Sequence, residues 1–179
     1  MKKLNYAFLL MITILLLSAC YESKVSLLKS PSSQIDTGLI KSWKSIPNDN
    51  DGKTVSLAIW KFSETEYLIA WEEEGESEKV LARGFTSKIG NEKIINLQDI
   101  KSLEDDDRKY VFFKYEFNEN GNLVVRILSD EYEKLKGKEF KSSREFHNFV
   151  QKNIAQEGLF GDKIEFKEAN KIGFEIKTS

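Results

Sequence analysis

The most constraining feature of this sequence is a pair of alternating segments on either side of Asn120-Gly121. Apolar residues occupy every second position over residues 110–117 and again over 123–127, which is the period of a strand with one buried face. A two-residue loop would pair apolar positions with polar ones, whereas a three-residue loop sets Phe117 opposite Leu123 and keeps one face apolar. We therefore predict a β-hairpin with a three-residue loop and a G1 bulge, in which Gly121 has a positive φ.

The same alternation recurs along most of the chain. Gly90-Asn91 is typical of a tight turn, and Gly84 of a bulge or bend inside a strand. A succession of about 7–9 short strands predicts a mainly β domain, an antiparallel meander that forms either a barrel or a strongly curved sheet. Besides the hairpin, the predicted strands cover residues 39–44, 53–62, 67–71, 80–89, 92–97, 163–166 and 172–176.

A single helix is predicted in the C-terminal half of the chain. Ser142 and Glu145 have the spacing of a capping box, and Gly158 is a stop signal. The pattern indicates a helix over about residues 143–156 that packs on the sheet, where it would cover an open end or an edge. Residues 130–138 are polar and form either a helical turn or a loop. The predicted apolar face of the helix consists of Phe146, Phe149, Val150 and Ile154.

The first 20 residues have the layout of an export signal. Lys2 and Lys3 give a positive start, and residues 6–17 form an apolar run that is shorter than the roughly 20 residues needed to cross a bilayer. The segment Leu17-Ser18-Ala19-Cys20 follows at once. It resembles the lipobox of bacterial lipoproteins, and Cys20 is the only cysteine of the chain.

This resemblance implies a lipid-anchored protein of the bacterial cell envelope. A signal peptide, residues 1–19, would be removed, the Cys20 thiol would carry a diacylglyceryl group, and the new N-terminus would usually be acylated. Two or three acyl chains anchor a protein stably in a membrane. Since Tyr21 is not the aspartate that retains enterobacterial lipoproteins in the inner membrane, the outer membrane is favoured if the source is Gram-negative.

The lipidated cysteine is followed by a polar, serine-rich stretch. We expect residues 20–38 to form a flexible tether that holds the domain about 20–25 Å from the anchor. The alternative is that residues 25–28 add an edge strand or fill a groove. Residues 39–179 have the length and composition of a single β-rich globular domain.

The predicted strand pattern is faintly similar to lipocalin- or calycin-like barrels. That family has a Gly-x-Trp motif on its first strand, and here four residues separate Gly38 from Trp43. A single closed barrel with a ligand cavity is what the resemblance implies. No binding residue of the family is carried over, because the motif spacing differs.

Composition and motifs argue against catalysis, metal binding and nucleic acid. The chain has 27 basic and 29 acidic residues, without the basic excess that phosphate contacts require. His147 is the only histidine, and it lies at the margin of the predicted apolar helix face. A His-based metal cluster cannot be assembled from it, and no nucleophile motif accompanies it. We therefore expect no enzyme activity, no cofactor and no metal.

Aromatic residues are the remaining candidates for a binding function. Trp60, Tyr67 and Trp71 lie on predicted strands that are apolar on both faces, so they either form core or line a cavity. The leading hypothesis is a non-enzymatic module that binds envelope proteins at the membrane surface. The alternative is a carrier of a small hydrophobic ligand inside a barrel. A cavity lined by these three residues would favour the carrier, and an exposed apolar patch or a free strand edge would favour the interaction module.

Overall fold

The protein folds as a closed antiparallel β-barrel of eight strands in the computed structural model, which describes residues 20–28, 34–47, 53–76, 79–100 and 109–170. Each strand pairs with its neighbour in sequence, and the first pairs with the last. Of the two predicted forms of the meander, the barrel is therefore confirmed. The strands are β1 (Ser42–Ser45), β2 (Val55–Lys61), β3 (Tyr67–Glu73), β4 (Val80–Ile89), β5 (Glu92–Asp99), β6 (Tyr110–Phe117), β7 (Leu123–Leu128) and β8 (Phe160–Ala169).

The β6–β7 hairpin has the predicted register. Phe117 lies opposite Leu123, and Gly121 has a φ of 77°. The Asn118 N–H donates to the Asn122 carbonyl at 3.0 Å, which leaves three residues in the loop. Burial of one apolar face of the hairpin therefore selects the three-residue loop, as predicted from the sequence.

Several boundaries differ from the predicted ones. β8 extends over ten residues, because residues on both sides of the predicted segment also pair with β1 and β7. No bulge occurs at Gly84, which pairs regularly with Tyr67 and Leu97. The start of the first predicted strand is instead a 3-10 turn, Thr37–Leu39. The last predicted strand, over residues 172–176, lies outside the described residues.

The barrel wall is apolar on both faces because it separates two cores. One core fills the barrel and includes Trp43, Tyr67 and Phe166. The other lies outside the wall, where Ile94 and Phe112 are covered by the helix and by residues near both ends of the chain. This double burial explains why strands β4 to β6 lack a clean alternation of apolar and polar residues.

The helix α1 (Ser143–Asn153) belongs to the outer core. The Ser142 hydroxyl accepts a hydrogen bond from the Glu145 N–H at 3.3 Å, so the predicted N-terminal cap is present. Phe146 and Val150 are fully buried on the predicted face. The helix covers the side of the barrel and no open end, because its apolar face packs on residues that point outward from the wall.

Residues 20–28, which we call the docked segment, were expected to be part of a flexible tether. They pack on the barrel wall instead: Tyr21, Ser23, Ser26 and Leu27 are buried. The Leu27 N–H donates to the Asn96 side-chain oxygen at 2.8 Å. The apolar residues among the serines have a surface to cover, which composition alone does not reveal, and the structure is closer to the alternative in which this stretch fills a groove.

Candidate functional site: the open mouth of the barrel

The barrel has two ends, and neighbouring strands begin at opposite ends because they are antiparallel. We call the end at which β2, β4, β6 and β8 begin the mouth end, and the opposite end the base end. Inward-facing side chains occupy every second position of each strand. Their exposure differs between the two ends.

Residues 35–40, the base plug, seal the base end. Leu39 is fully buried inside the barrel, and its carbonyl accepts a hydrogen bond from the Trp43 indole N–H at 3.0 Å. The Asp36 N–H donates to the Tyr67 hydroxyl at 2.5 Å, and the Asp36 carboxylate accepts from the Lys93 ammonium at 2.7 Å. The plug is therefore held by buried Leu39, by Ile35 and Ile40, which pack against the same core, and by polar contacts at its edge.

Two phenols and a hydroxyl lie just inside the base plug. The Thr86 hydroxyl is 3.5 Å from the Tyr67 hydroxyl and 3.4 Å from the Tyr115 hydroxyl. Burial raises the pKa of both Tyr67 and Tyr115, because the interior disfavours a phenolate. Both phenols are thus neutral hydrogen-bonding groups at ordinary pH, and the cluster has a structural role in closing the base.

Among the described residues, the interior of the barrel is more exposed toward the mouth end than toward the base end. On β2, β3 and β6 the inward-facing residues Ile59, Tyr67 and Tyr115 of the base half are buried, whereas those of the mouth half are partly exposed. At the base ends of β2 and β6, Lys61 is exposed and Phe117 is partly exposed. On β8, Phe166 is 4% exposed and Ile164 is 41% exposed. Among the described residues, the apolar side chains of the barrel interior are therefore more exposed in the mouth half than in the base half on these strands. We give the name mouth ring to the partly exposed apolar residues of the mouth half that pack against the inner core: Val55, Leu57, Trp71, Val111, Phe113 and Val125.

The six mouth-ring side chains are apolar, and Glu73 and Asp99 share their face of the wall at the rim, so the chemistry of the mouth is that of binding. An eight-stranded barrel is just wide enough to be filled by side chains or to hold one small ligand. Here the base half is filled, and the open section is about two inward-facing residues deep, roughly 7 Å along a strand. Such a site suits an acyl chain end or a small apolar group that enters from the mouth.

The structure separates the three aromatic residues that the sequence singled out. Tyr67 faces inward and is fully buried at the base end. Trp71 faces inward at the mouth end and is partly exposed. Trp60 lies opposite Leu68 on the outside of the wall and is 37% exposed. Only Trp71 of the three is therefore in a position to contact a ligand in the mouth.

Cys20 lies at the mouth end on the outer wall. It forms a β-bridge with Ser129, which directly follows β7. Burial raises the pKa of its thiol to about 12, with smaller contributions from the negative charges of Glu22 and Asp130. The structure thus places the predicted lipidation residue beside the rim of the open mouth.

A second cavity lies on the outside of the barrel, between the docked segment and the start of α1. Its volume is about 650 Å³. His147 is half-buried at this place, in accordance with the interpretation as a helix-margin residue. The cavity is lined by Val25, Leu27, Leu28, Ser142, Ser143, Arg144 and His147.

Most of the mouth ring was missed by the sequence interpretation. Alternation tells which residues share a face, but it does not tell which face is inside or which end of the barrel is open. A useful signal was present at Gly84 and Ala82, since small residues on one face of β4 indicate the crowded, inner side of a wall. If Ala82 and Gly84 face inward, the alternation of faces along the paired strands places Trp71 inside the barrel and Trp60 outside it.

Fold and site define a small closed antiparallel barrel with a sealed base and an open apolar mouth. In the comparisons with known proteins, no family model matches the chain, and neither a curated protein nor a solved structure matches it. Within the described residues, none of the helices has the length and apolarity to cross a membrane. The same part of the chain holds no cluster of three or more His, Cys, Asp or Glu side chains arranged for a metal ion.

Proposed function

We propose that the protein is a lipid-anchored, non-enzymatic binding protein of the bacterial cell envelope, and that it carries a small hydrophobic ligand in the open mouth of its barrel. The observation that carries the ligand proposal is the rising exposure of inward-facing apolar residues toward the mouth. Exposed apolar surface of this kind is costly in water and is typical of a site that a ligand covers.

The carrier is favoured over the module that binds envelope proteins through a sheet face or edge. All eight described strands pair on both sides, so none of them offers a free edge for strand addition. The outer wall of β4 to β6 is covered by its own helix and docked segment. The apolar surface that remains accessible on the inside is the mouth ring.

The anchor proposal rests on the sequence Leu17-Ser18-Ala19-Cys20. Lipidation at Cys20 would place the protein at the membrane, with the outer membrane favoured in a Gram-negative source. Mass spectrometry of the full-length gene product from a bacterial host tests this directly. A mature chain that begins at a diacylglyceryl-modified Cys20 is expected, and a Cys20→Ser variant should stay uncleaved. An unmodified cysteine, or a cut elsewhere, would refute the anchor.

Ligand binding is tested with a dansyl-labelled undecanoic acid, whose fluorescence rises in an apolar site. The dansyl group is excited directly, so the signal does not depend on energy transfer from tryptophan. Saturable binding is expected. Trp71→Ala should weaken it roughly tenfold or more, because the contact of one large side chain is worth about 1.5–3 kcal/mol. The matched control is Trp60→Ala, which removes the same side chain from the outer wall of the neighbouring strand. Equal effects of the two changes, or no saturation, would refute a mouth site.

A further inference from the structure

We infer that the docked segment fixes the lipid anchor at the mouth end, so that the open mouth faces the bilayer and exchanges its ligand directly with membrane lipid. This inference rests on the proposed function, since it takes Cys20 as the lipidated residue and the mouth as the ligand site. It adds an orientation of the barrel on the membrane and a source for the ligand, namely the acyl chains of the bilayer itself.

The first step of the argument is the position of Cys20. Cys20 forms a β-bridge with Ser129, which directly follows the mouth end of β7. The N–H of the next residue, Tyr21, donates to the Leu128 carbonyl at 3.0 Å. Bridged strands lie about 4.8 Å apart. The lipid-bearing residue is therefore held within one strand spacing of the barrel rim.

A second bridge fixes the direction of the docked segment. Ser23 pairs with Tyr110, the first residue of β6, through hydrogen bonds of 3.0 Å and 2.7 Å. Tyr110, like Ser129, stands at the mouth end. Two adjacent points of the rim therefore hold the chain directly after the anchor, and the segment cannot swivel about a single contact.

The side chains of the docked segment keep it on the wall. The Tyr21 ring lies 5.6 Å from the Phe146 ring of α1, and its hydroxyl donates to the Lys138 carbonyl at 2.6 Å. Leu27 is 1% exposed, and its N–H is bound by the buried Asn96. Releasing the segment would expose both apolar side chains and leave the Asn96 side chain without one of its partners.

Because the docked segment leaves no flexible chain between the lipid anchor and the barrel, the barrel is restricted in how it can lie on the membrane. A flexible tether over residues 20–38 would hold the barrel about 20–25 Å from the membrane in any orientation. With the segment docked, the acyl chains on Cys20 enter the bilayer next to the rim, and the mouth ring is brought to the level of the headgroups. Partly exposed Trp71 and 41% exposed Ile164 then meet lipid, and a ligand can pass from bilayer to barrel without crossing water.

The test uses the full-length lipoprotein, purified in detergent and reconstituted into vesicles whose phospholipids carry brominated acyl chains. Bromine quenches tryptophan fluorescence on contact. The Trp60→Phe variant reports Trp71 at the mouth, and the matched Trp71→Phe variant reports Trp60 near the base, over a common background from buried Trp43. We expect several-fold stronger quenching in the variant that retains Trp71.

A second variant isolates the role of the docked segment. A glycine–serine insertion of about 20 residues between Cys20 and Tyr21 gives up the Cys20–Ser129 bridge but keeps the contacts of Tyr21, Ser23 and Leu27, and it separates anchor and rim by about 25 Å on average. Quenching of Trp71 should fall to the level of Trp60. Equal quenching of the two tryptophans without the insertion, or unchanged quenching of Trp71 with it, would overturn the proposed orientation.

The outcomes separate the two proposals. Failure of the dansyl ligand to bind, with Trp71 still quenched, would remove the carrier function and keep the orientation. Binding of the dansyl ligand with no selective quenching would keep the carrier and overturn the orientation. A protein that carries no lipid and does not bind to the vesicles would overturn both the anchor and the orientation.

Discussion

Replacement of Gly84 by alanine is the sharpest test of the barrel interior. Gly84 faces inward on β4, and a Cβ at this position would lie 2.6 Å from Leu97 Cδ2 and 3.1 Å from the Asn96 carbonyl oxygen. The first distance is shorter than real contacts allow and the second is tighter than most of them, so the Leu97 side chain must move and the backbone of β5 must yield by a few tenths of an ångström. Overpacking of this size costs about 1–3 kcal/mol.

Thermal unfolding followed by circular dichroism provides the measurement. For a domain of this size the Gly84→Ala variant should unfold about 2–10 °C below the wild type. The matched control is Gly161→Ala on β8, where the new Cβ would lie 3.4 Å from Ile127 Cγ2, at the edge of ordinary contact. The control should be neutral or stabilised by about 0.4–1 kcal/mol, because alanine restricts the unfolded chain.

A double variant identifies the cause of the loss. Leu97→Val removes the Cδ atom that the new Cβ would meet and costs about 1–2 kcal/mol by itself. If the clash with Leu97 is responsible, the combination Gly84→Ala with Leu97→Val should be more stable than the sum predicts by about 1 kcal/mol. Additive losses, or a Gly84→Ala variant as stable as the wild type, would refute this packing of the wall.

Three further predictions concern titration and docking. Because the pKa values of Tyr67 and Tyr115 are raised, the folded state keeps protons that the unfolded chain releases at high pH. The stability of the fold is therefore full below about pH 10 and falls as the pH rises further. Melting temperatures that stay level from pH 9 to 11 would contradict this. Unlipidated Cys20, with its pKa at about 12, should react with Ellman's reagent at pH 8 roughly 30- to 60-fold more slowly in the folded protein than in denaturant, because the greater nucleophilicity of a more basic thiolate offsets part of the loss of thiolate. Asn96→Ala removes the acceptor of the Leu27 N–H and should cost about 1–3 kcal/mol in urea unfolding. The same variant should make the docked segment the first site of limited proteolysis, and cleavage elsewhere first would argue against its coupling to the wall.

Features encoded by neighbouring residues could be predicted from the sequence. The loop around Gly121 follows from the requirement that Phe117 and Leu123 share a face, and the cap at Ser142 follows from a hydroxyl placed three residues before a free N–H. Both signals act over a few residues, so they do not depend on what the rest of the chain does. They sufficed for the meander and for the start of the helix.

Features that depend on distant contacts could not be predicted. The pairing of β1 with β8, which decides between a barrel and a curved sheet, has no local signal. Trp60 and Trp71 lie in equally apolar surroundings in the sequence, and the small residues Ala82 and Gly84 separate inside from outside only once the pairing of the strands is known. The docked segment looked like a tether because its serines are polar, while the partners that bury Tyr21 and Leu27 lie much later in the chain.

The seam between the first and the last strand has a consequence for how the molecule forms. The ammonium of Lys41, which precedes β1, donates a hydrogen bond to the carboxylate of Glu168 on β8, 127 residues later in the sequence. During synthesis the intermediate hairpins can assemble in order, because each joins neighbouring segments, but the ring stays open until its final strand has left the ribosome. Bringing the two ends together carries the largest loss of chain entropy of any pairing in the wall. We therefore expect ring closure to be the last event of folding, and a chain cut short before β8 to leave two strand edges bare and prone to self-association.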